Sequence, residues 1–327
     1  MLARVRAAEA AVVPSCSMMR LLLLSDTHGH LGQIDPLARQ ARADAVVHAG
    51  DFGFYDDDSV DRLESRELFL RVVHSDLPPD AKKQAKQLQG DALRDFIRAE
   101  LPLSDLGGWL RDGRGFSLPT FTVWGNHEDG AVVAALLAGR RRVPNLTLIG
   151  QAQLGPFRLF GLGGNLLPGS LGEEVPLDGG RGKIRATARG VADLVDAAPP
   201  RTPGEIRVLV THISPGKEPL VGLLAAALDA ELTISGHMGS PLGCVWDDFA
   251  VREPADAQAR LARAAAALPE SLRARLPAPS FDDGRAPWYR GTFHINLPDA
   301  PDGHAVLSLE DGRLRLETVS LGLRPRR

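Results

Sequence analysis

Five short apolar runs in this chain each stop at a turn carrying aspartate, asparagine or histidine, most of them beside glycine. Residues 20–25 (RLLLLS) lead into Asp26-Thr27-His28-Gly29, and 44–49 (DAVVHA) lead into Gly50-Asp51. Residues 120–124 (TFTVW) lead into Gly125-Asn126-His127-Glu128, 207–211 into His212, and 232–235 into Gly236-His237. Such runs read as buried strands. Helical periodicity fills the intervals, at roughly 30–42, 60–74, 81–100, 128–139, 183–196, 218–229 and 255–268. Strands alternating with helices predict an α/β layered fold. Further strands are expected at 146–149, 157–161, 292–297, 304–309 and 313–319. Asp311-Gly312 between the last two is a hairpin signal, so a mixed sheet is expected rather than an all-parallel one.

The carboxyl ends of strands line the ligand crevice of open α/β sheets, and glycine lets the backbone turn sharply and approach closely. The five turns are therefore expected to converge. Together they offer two carboxylates, one carboxamide and up to four imidazoles, a set of mixed O and N donors suited to Mn, Fe, Zn, Co or Ni. Two ions with about four protein ligands each, sharing one carboxylate, need about seven side chains. Asp26, His28, Asp51, Asn126, His212 and His237 supply all but one. Each motif alone has a plain reading: a helix-capping Asp, a Gly-Asp turn, an Asn or Glu capping the helix at 128–139, a core histidine. The order and strand context of all five outweigh these separate readings. The other histidines read differently. His48 is expected to pack within its strand, His30 to open a helix, and His294 and His304 to lie on late strands. His74 is a candidate for substrate contact.

The chain has 327 residues, 44% of them hydrophobic, with 38 basic against 41 acidic residues and a formal net charge of -3. No strong field draws the whole protein to nucleic acid or to a membrane surface. The densest basic run, Arg140-Arg141-Arg142, reads as a solvated helix end. Two isolated cysteines, Cys16 and Cys244, argue against a disulfide framework or a Cys-rich zinc site, and a reducing cytoplasm is the simplest setting. Residues 1–18 read as a disordered extension or upstream start, with a leader peptide as the alternative, and 19–327 as a single domain. Within it, 53–118 looks like an insertion, with acidic Asp56-Asp57-Asp58 and an amphipathic run through Leu88, Leu93, Phe96, Ile97 and Leu101. Residues 240–290, rich in Pro, Ala, Arg and Asp, read as a surface segment. No segment is apolar over a length that spans a bilayer.

The ordered set D-x-H, G-D, G-N-H-E, H and G-H, at Asp26-His28, Gly50-Asp51, Gly125–Glu128, His212 and Gly236-His237, resembles the calcineurin-like metallophosphoesterase superfamily. Phe160-Gly161-Leu162-Gly163-Gly164-Asn165 also looks like the superfamily's Gly-rich loop. The resemblance implies two packed mixed β-sheets flanked by helices, a four-layer sandwich. It implies that Asp26 and His28 hold a first divalent ion, that Asp51 bridges two, and that Asn126, His212 and His237 hold the second. His127 would face the reacting phosphate without being a ligand, and Glu128 would orient His127. Metal-activated water would attack phosphorus in line, with His127 protonating the leaving oxygen or holding the developing charge. One departure stands out. The last motif of the superfamily is G-H-x-H, and here it reads Gly236-His237-Met238-Gly239, so the first site lacks a ligand and is expected to bind more weakly. Cys244, Asp247 and Asp248 are candidates to fold back and substitute.

A phosphodiester or nucleotide is the expected substrate. A phosphomonoesterase or protein phosphatase is the second reading, and a catalytically weak nucleotide- or partner-binding protein, favoured by Gly239, is the third.

Overall fold

The computed structural model describes residues 18–166, 171, 177, 183–237, 259, 262–277 and 292–320. The expectations for residues 1–17, Gly239, Cys244, Asp247, Asp248 and most of 240–290 lie outside the described residues.

Eleven strands among the described residues build two mixed sheets. The strands are β1 (Met19–Leu24), β2 (Ala45–Ala49), β3 (Thr120–Val123), β4 (Leu146–Leu148), β5 (Gln151–Leu154), β6 (Phe157–Leu162), β7 (Ile206–Thr211), β8 (Leu232–Ser235), β9 (Phe293–Asn296), β10 (Gly303–Glu310) and β11 (Arg313–Ser320). One sheet runs β11-β10-β1-β2-β3-β4 and the other β5-β6-β7-β8-β9. β1 to β4 are parallel neighbours, and so are β6 to β9. β10 lies antiparallel to β1 and β11, and β5 antiparallel to β6. Asp311 and Gly312 both have positive φ, 48° and 74°, as the tight hairpin turn they signalled requires.

β1 shows how one strand serves two layers. Leu21 and Leu23 point between the sheets, into a core with Ala45, Val47, Val208, Val210 and Ile234. Leu22 and Leu24 point outward to Val46 and to Ile34 and Ala38 of helix α1 (Ile34–Ala41). Strands buried on both faces must be apolar at every position, hence the run of leucines. On the far side of the second sheet, the helices Ala188–Asp196 and Leu220–Ala227 cover Phe160 and Leu209. The result is the expected four-layer sandwich, helix on sheet on sheet on helix.

Two details differ from the sequence reading. β5 was not expected, because Gln-Ala-Gln-Leu carries little apolar signal; a tight turn at Gly155 lets it pair back on β6. The stretches 60–74 and 81–100 each break into two helices. The insertion thus holds α2 (Ser59–Arg62), α3 (Ser65–Val73), α4 (Pro79–Ala85), α5 (Gly90–Glu100) and α6 (Asp105–Asp112). Leu63 and Glu64 are extended, which ends α2 and lets α3 turn toward the sheets. α2 to α5 gather around a core of their own, with Tyr55, Leu68, Val72, Leu93 and Ile97. The acidic and basic runs meet: Arg141 and Arg62 both pair with Asp56. Arg140-Arg141-Arg142 is thus partly neutralised rather than simply solvated. No described helix is long and apolar enough to cross a membrane.

Candidate metal centre

The five ligand turns lie together at the carboxyl ends of β1, β2, β3, β7 and β8, and backbone bonds tie them to one another. Asp26 N donates to Gly50 O at 2.9 Å, His28 N to Asp51 O at 2.9 Å, and Gly236 N to His212 O at 3.1 Å. Side chains add cross-ties. Asp51 Oδ1 accepts from His127 N at 3.0 Å, and Asp26 Oδ2 accepts from His237 N at 3.0 Å and from Ser25 Oγ at 2.5 Å.

Four of the ligand candidates carry left-handed backbone: Asp26 (φ 54°), His28 (48°), Asp51 (47°) and His237 (57°). They are half of the eight non-glycine residues with positive φ among the described residues. Such conformations cost about 1–3 kcal/mol each and persist where surrounding structure over-determines them, as the cross-ties do here. Strain clustered on chemically capable side chains makes this edge the candidate functional site. The glycines between them are needed for space. A Cβ at Gly125 would collide with the Asp51 carboxylate, and one at Gly236 with Ser25 Oγ and Asp26 Oδ2.

The donors form two clusters that share a carboxylate. Ligand atoms of Asp26, His28 and Asp51 lie within 4.8 Å of one another, and so do those of Asp51, His212 and His237. His212 Nδ1 donates to Ala49 O at 2.9 Å, which leaves Nε2 facing Asp51 Oδ2 at 3.5 Å and His237 Nδ1 at 3.1 Å. A backbone carbonyl holding one ring nitrogen in this way orients a metal-binding histidine. Asn126 is fully buried, yet among the described residues neither its Oδ1 nor its Nδ2 meets a hydrogen-bond partner. An orphaned buried amide is costly, and a cation beside Oδ1 would satisfy it. The residues fit a divalent metal site.

The charges point the same way. Burial, reinforced by the Asp51 carboxylate, raises Asp26 above the usual carboxylate range, although His212 opposes it. At Asp51 burial is outweighed by His212, His28 and His127, and the pKa falls well below its ordinary value. Burial opposes the charge on His212, but Asp51 and Asp26 overcome it and raise the ring to about 9. The buried carboxylates thus favour positive charge within the cluster, which a divalent cation would supply. Burial lowers His237 to about 3 and His74 to about 4, leaving both in the neutral form that ligation requires.

The carboxylate on the catalytic-histidine candidate is not the expected one. Nδ1 of His127 lies 2.6 Å from Oε2 of Glu67, a residue on α3 of the insertion that is only 5% exposed. Glu128, expected to orient His127, instead accepts from four backbone N–H groups: Phe52, Gly53, Phe54 and Gly125, at 2.6 to 3.2 Å. It binds the segment after Asp51 to the Asn126 turn. Burial and the Asp51 charge push its pKa to about 7, against the pull of those N–H groups. Glu128→Ala should orphan four donors at once and destabilise the fold by about 3 kcal/mol or more. Urea unfolding of the two proteins checks this, and a loss under about 1 kcal/mol would contradict it.

Three residues near the site lay outside the sequence reading or carried another role in it. Glu67 is the first. His74, at the end of α3, stacks on the His28 ring with centroids 3.9 Å apart. Asp299, in the loop after β9, forms a third donor cluster with His28 and His74. Glu67, Arg71 and His74 share one face of α3 at helical spacing, the only signal that could have singled them out. Arg71 donates to His28 O and Leu103 O, fastening α3 to the first ligand turn. His48 packs in its strand as expected, with Nε2 3.1 Å from Thr27 Oγ1.

Residues 19–241 match the calcineurin-like phosphoesterases. The chain belongs to that family. No curated protein matches it. Membership implies a phosphate-ester hydrolase that works with divalent metal ions, and the metal-site geometry of this phosphoesterase accords with that. The Gly-rich loop of the resemblance packs on the Asn126 turn, where Gly164 N donates to Trp124 O and Ile184 N to Asn126 O, both at 2.9 Å.

Proposed function

We propose that this phosphoesterase hydrolyses a phosphodiester or nucleotide at a two-ion centre. Asp26, His28 and Asp51 would hold the first ion, and Asp51, Asn126, His212 and His237 the second. The observation that carries the reading is the shared carboxylate: Asp51 belongs to both ligand clusters. When bound, the two ions supply Lewis acidity at the phosphate oxygens and a water acidified toward neutral pH. The chain's own residues do the rest. Asp51 fixes His127 through the backbone N–H of that residue, and Glu67 fixes the ring through Nδ1. The other ring nitrogen of His127 is thereby left to meet the substrate and to pass a proton to the leaving oxygen.

Charge favours a diester. Among the described residues, the cations Arg71 and Lys217 beside the cluster are engaged by the protein's own groups. Arg71 is held by His28 O and Leu103 O, while Lys217 feels Asp26 and Asp299. A monoester dianion would call for more positive charge than a diester monoanion. The balanced Arg141–Asp56 and Arg62–Asp56 pairs favour a small substrate over a long polyanion. Two lone cysteines are consistent with a reducing cytoplasm.

The test is hydrolysis of bis(p-nitrophenyl) phosphate against p-nitrophenyl phosphate, by metal-stripped protein given Mn, Fe, Zn, Co or Ni in turn. The stripped protein should be inert, Mn or a similar ion should restore turnover, and the diester should have the higher kcat/KM. Faster monoester hydrolysis would move the assignment to a phosphomonoesterase. No hydrolysis with any ion would leave a nucleotide- or partner-binding protein.

A further inference from the structure

Among the described residues, the first ion as read above has three protein ligands, fewer than a divalent ion at such a centre ordinarily takes. Two more donors lie beside His28, close enough to the cluster for Asp299 to feel Asp26 and Asp51, and His74 to feel Asp51. His74 stacks on the His28 ring at 3.9 Å and 26°, and ligand atoms of His28, His74 and Asp299 all lie within 4.8 Å of one another. Asp299 is 6% exposed. Its Oδ1 is buried, and among the described residues it meets no hydrogen-bond partner. A buried carboxylate oxygen left unpaired is costly, and a cation at His28 would relieve it.

Both donors are held where they are. Ala300 N donates to Ser25 O at 2.9 Å, and Leu297 N to Ser235 O at 2.7 Å, so the loop carrying Asp299 is stitched to the turns of Asp26 and His237. His74 is the C-terminal cap of α3, its N–H bonded to Leu70 O, and Arg71 of the same helix bonds to His28 O. The helix and the loop meet at His28 from opposite ends of the chain.

We infer that Asp299 and His74 complete the coordination of the first divalent ion, beside Asp26, His28 and Asp51. The inference rests on the two-ion reading. It makes the insertion part of the metal site: one helix supplies a ligand through His74 and orients His127 through Glu67.

The experiment is metal binding by the full chain, read independently of turnover. Mn(II) per chain is measured by elemental analysis after dialysis against buffered free Mn(II), and Co(II) binding is followed by its visible absorbance. The variants are Asp299→Asn, His74→Gln and the pair together, with His237→Ala as the reference for the second site and circular dichroism as the folding control. The wild type should hold two ions. Asp299→Asn should weaken one of them by more than the roughly ten- to hundredfold that loss of an outer-shell partner costs, His74→Gln should weaken the same ion, and the double variant should hold one. The ion each retains shows that the core has folded. Two ions at wild-type affinity in the double variant would overturn the inference alone; Asp299 would then be a partner of Lys217 and His74 a stacking residue. A wild type holding one ion also overturns it and leaves the second site standing. A wild type holding none removes the two-ion reading as well.

Discussion

Asp51→Asn should abolish turnover and deplete both ions. The substitution is isosteric, and the amide oxygen can still accept from His127 N, so the cross-tie at 3.0 Å survives. What disappears is the negative charge common to both donor clusters. Loss of one preorganised electrostatic contact typically costs about a hundred- to a thousandfold in kcat, and here two cation sites lose theirs together, so the fall should be about a thousandfold or more. Elemental analysis should show less than two ions per chain, and excess Mn should restore metal content before it restores rate. An Asp51→Asn protein that keeps both ions and a tenth of its activity would remove Asp51 from the bridging position.

His127→Ala should give the second-largest effect, with the opposite metal signature. General acid–base groups contribute about a hundred- to ten-thousandfold. The His127 ring is bound to Glu67 rather than to a donor cluster, so both ions should stay. Glu67→Gln should follow at smaller amplitude. The amide oxygen can still accept from Nδ1 but brings no charge, so kcat should fall about ten- to a hundredfold while KM and metal content hold. Paired kinetics and metal analysis of the two variants check this. If Glu67→Gln lowered KM and kcat in proportion, or emptied a site, the carboxylate would be acting on substrate or metal instead. If His127→Ala lost an ion, His127 would be a ligand.

Much of the fold was legible because burial on both faces leaves a strand few choices. Leu21 to Leu24 lie between two apolar layers, and an all-apolar run is the direct mark of that position. β5 was not legible, since an edge strand open on one side tolerates Gln at alternate positions. Turn chemistry was legible too. Gly50, Gly125 and Gly236 stand where a side chain would strike a neighbouring ligand residue, and Asp311-Gly312 takes the left-handed pair its sequence implies.

The sequence by itself determined the α/β class, and it singled out six candidate donors at strand ends, with a candidate histidine beside them. Each lies within a few residues of a strand end, so local pattern carries the information. Only the tertiary structure decided which carboxylate holds His127, what Glu128 does, and which further donors reach His28. Glu67, His74 and Asp299 sit on an insertion helix and on the loop after β9, elements whose apolar pattern reports their own packing and says nothing of what their polar side chains meet. Glu128 lies next to His127 in the chain, yet its side chain points into four backbone N–H groups. A carboxylate takes its role from the donors and charges that surround it after folding, and adjacency in sequence does not specify them.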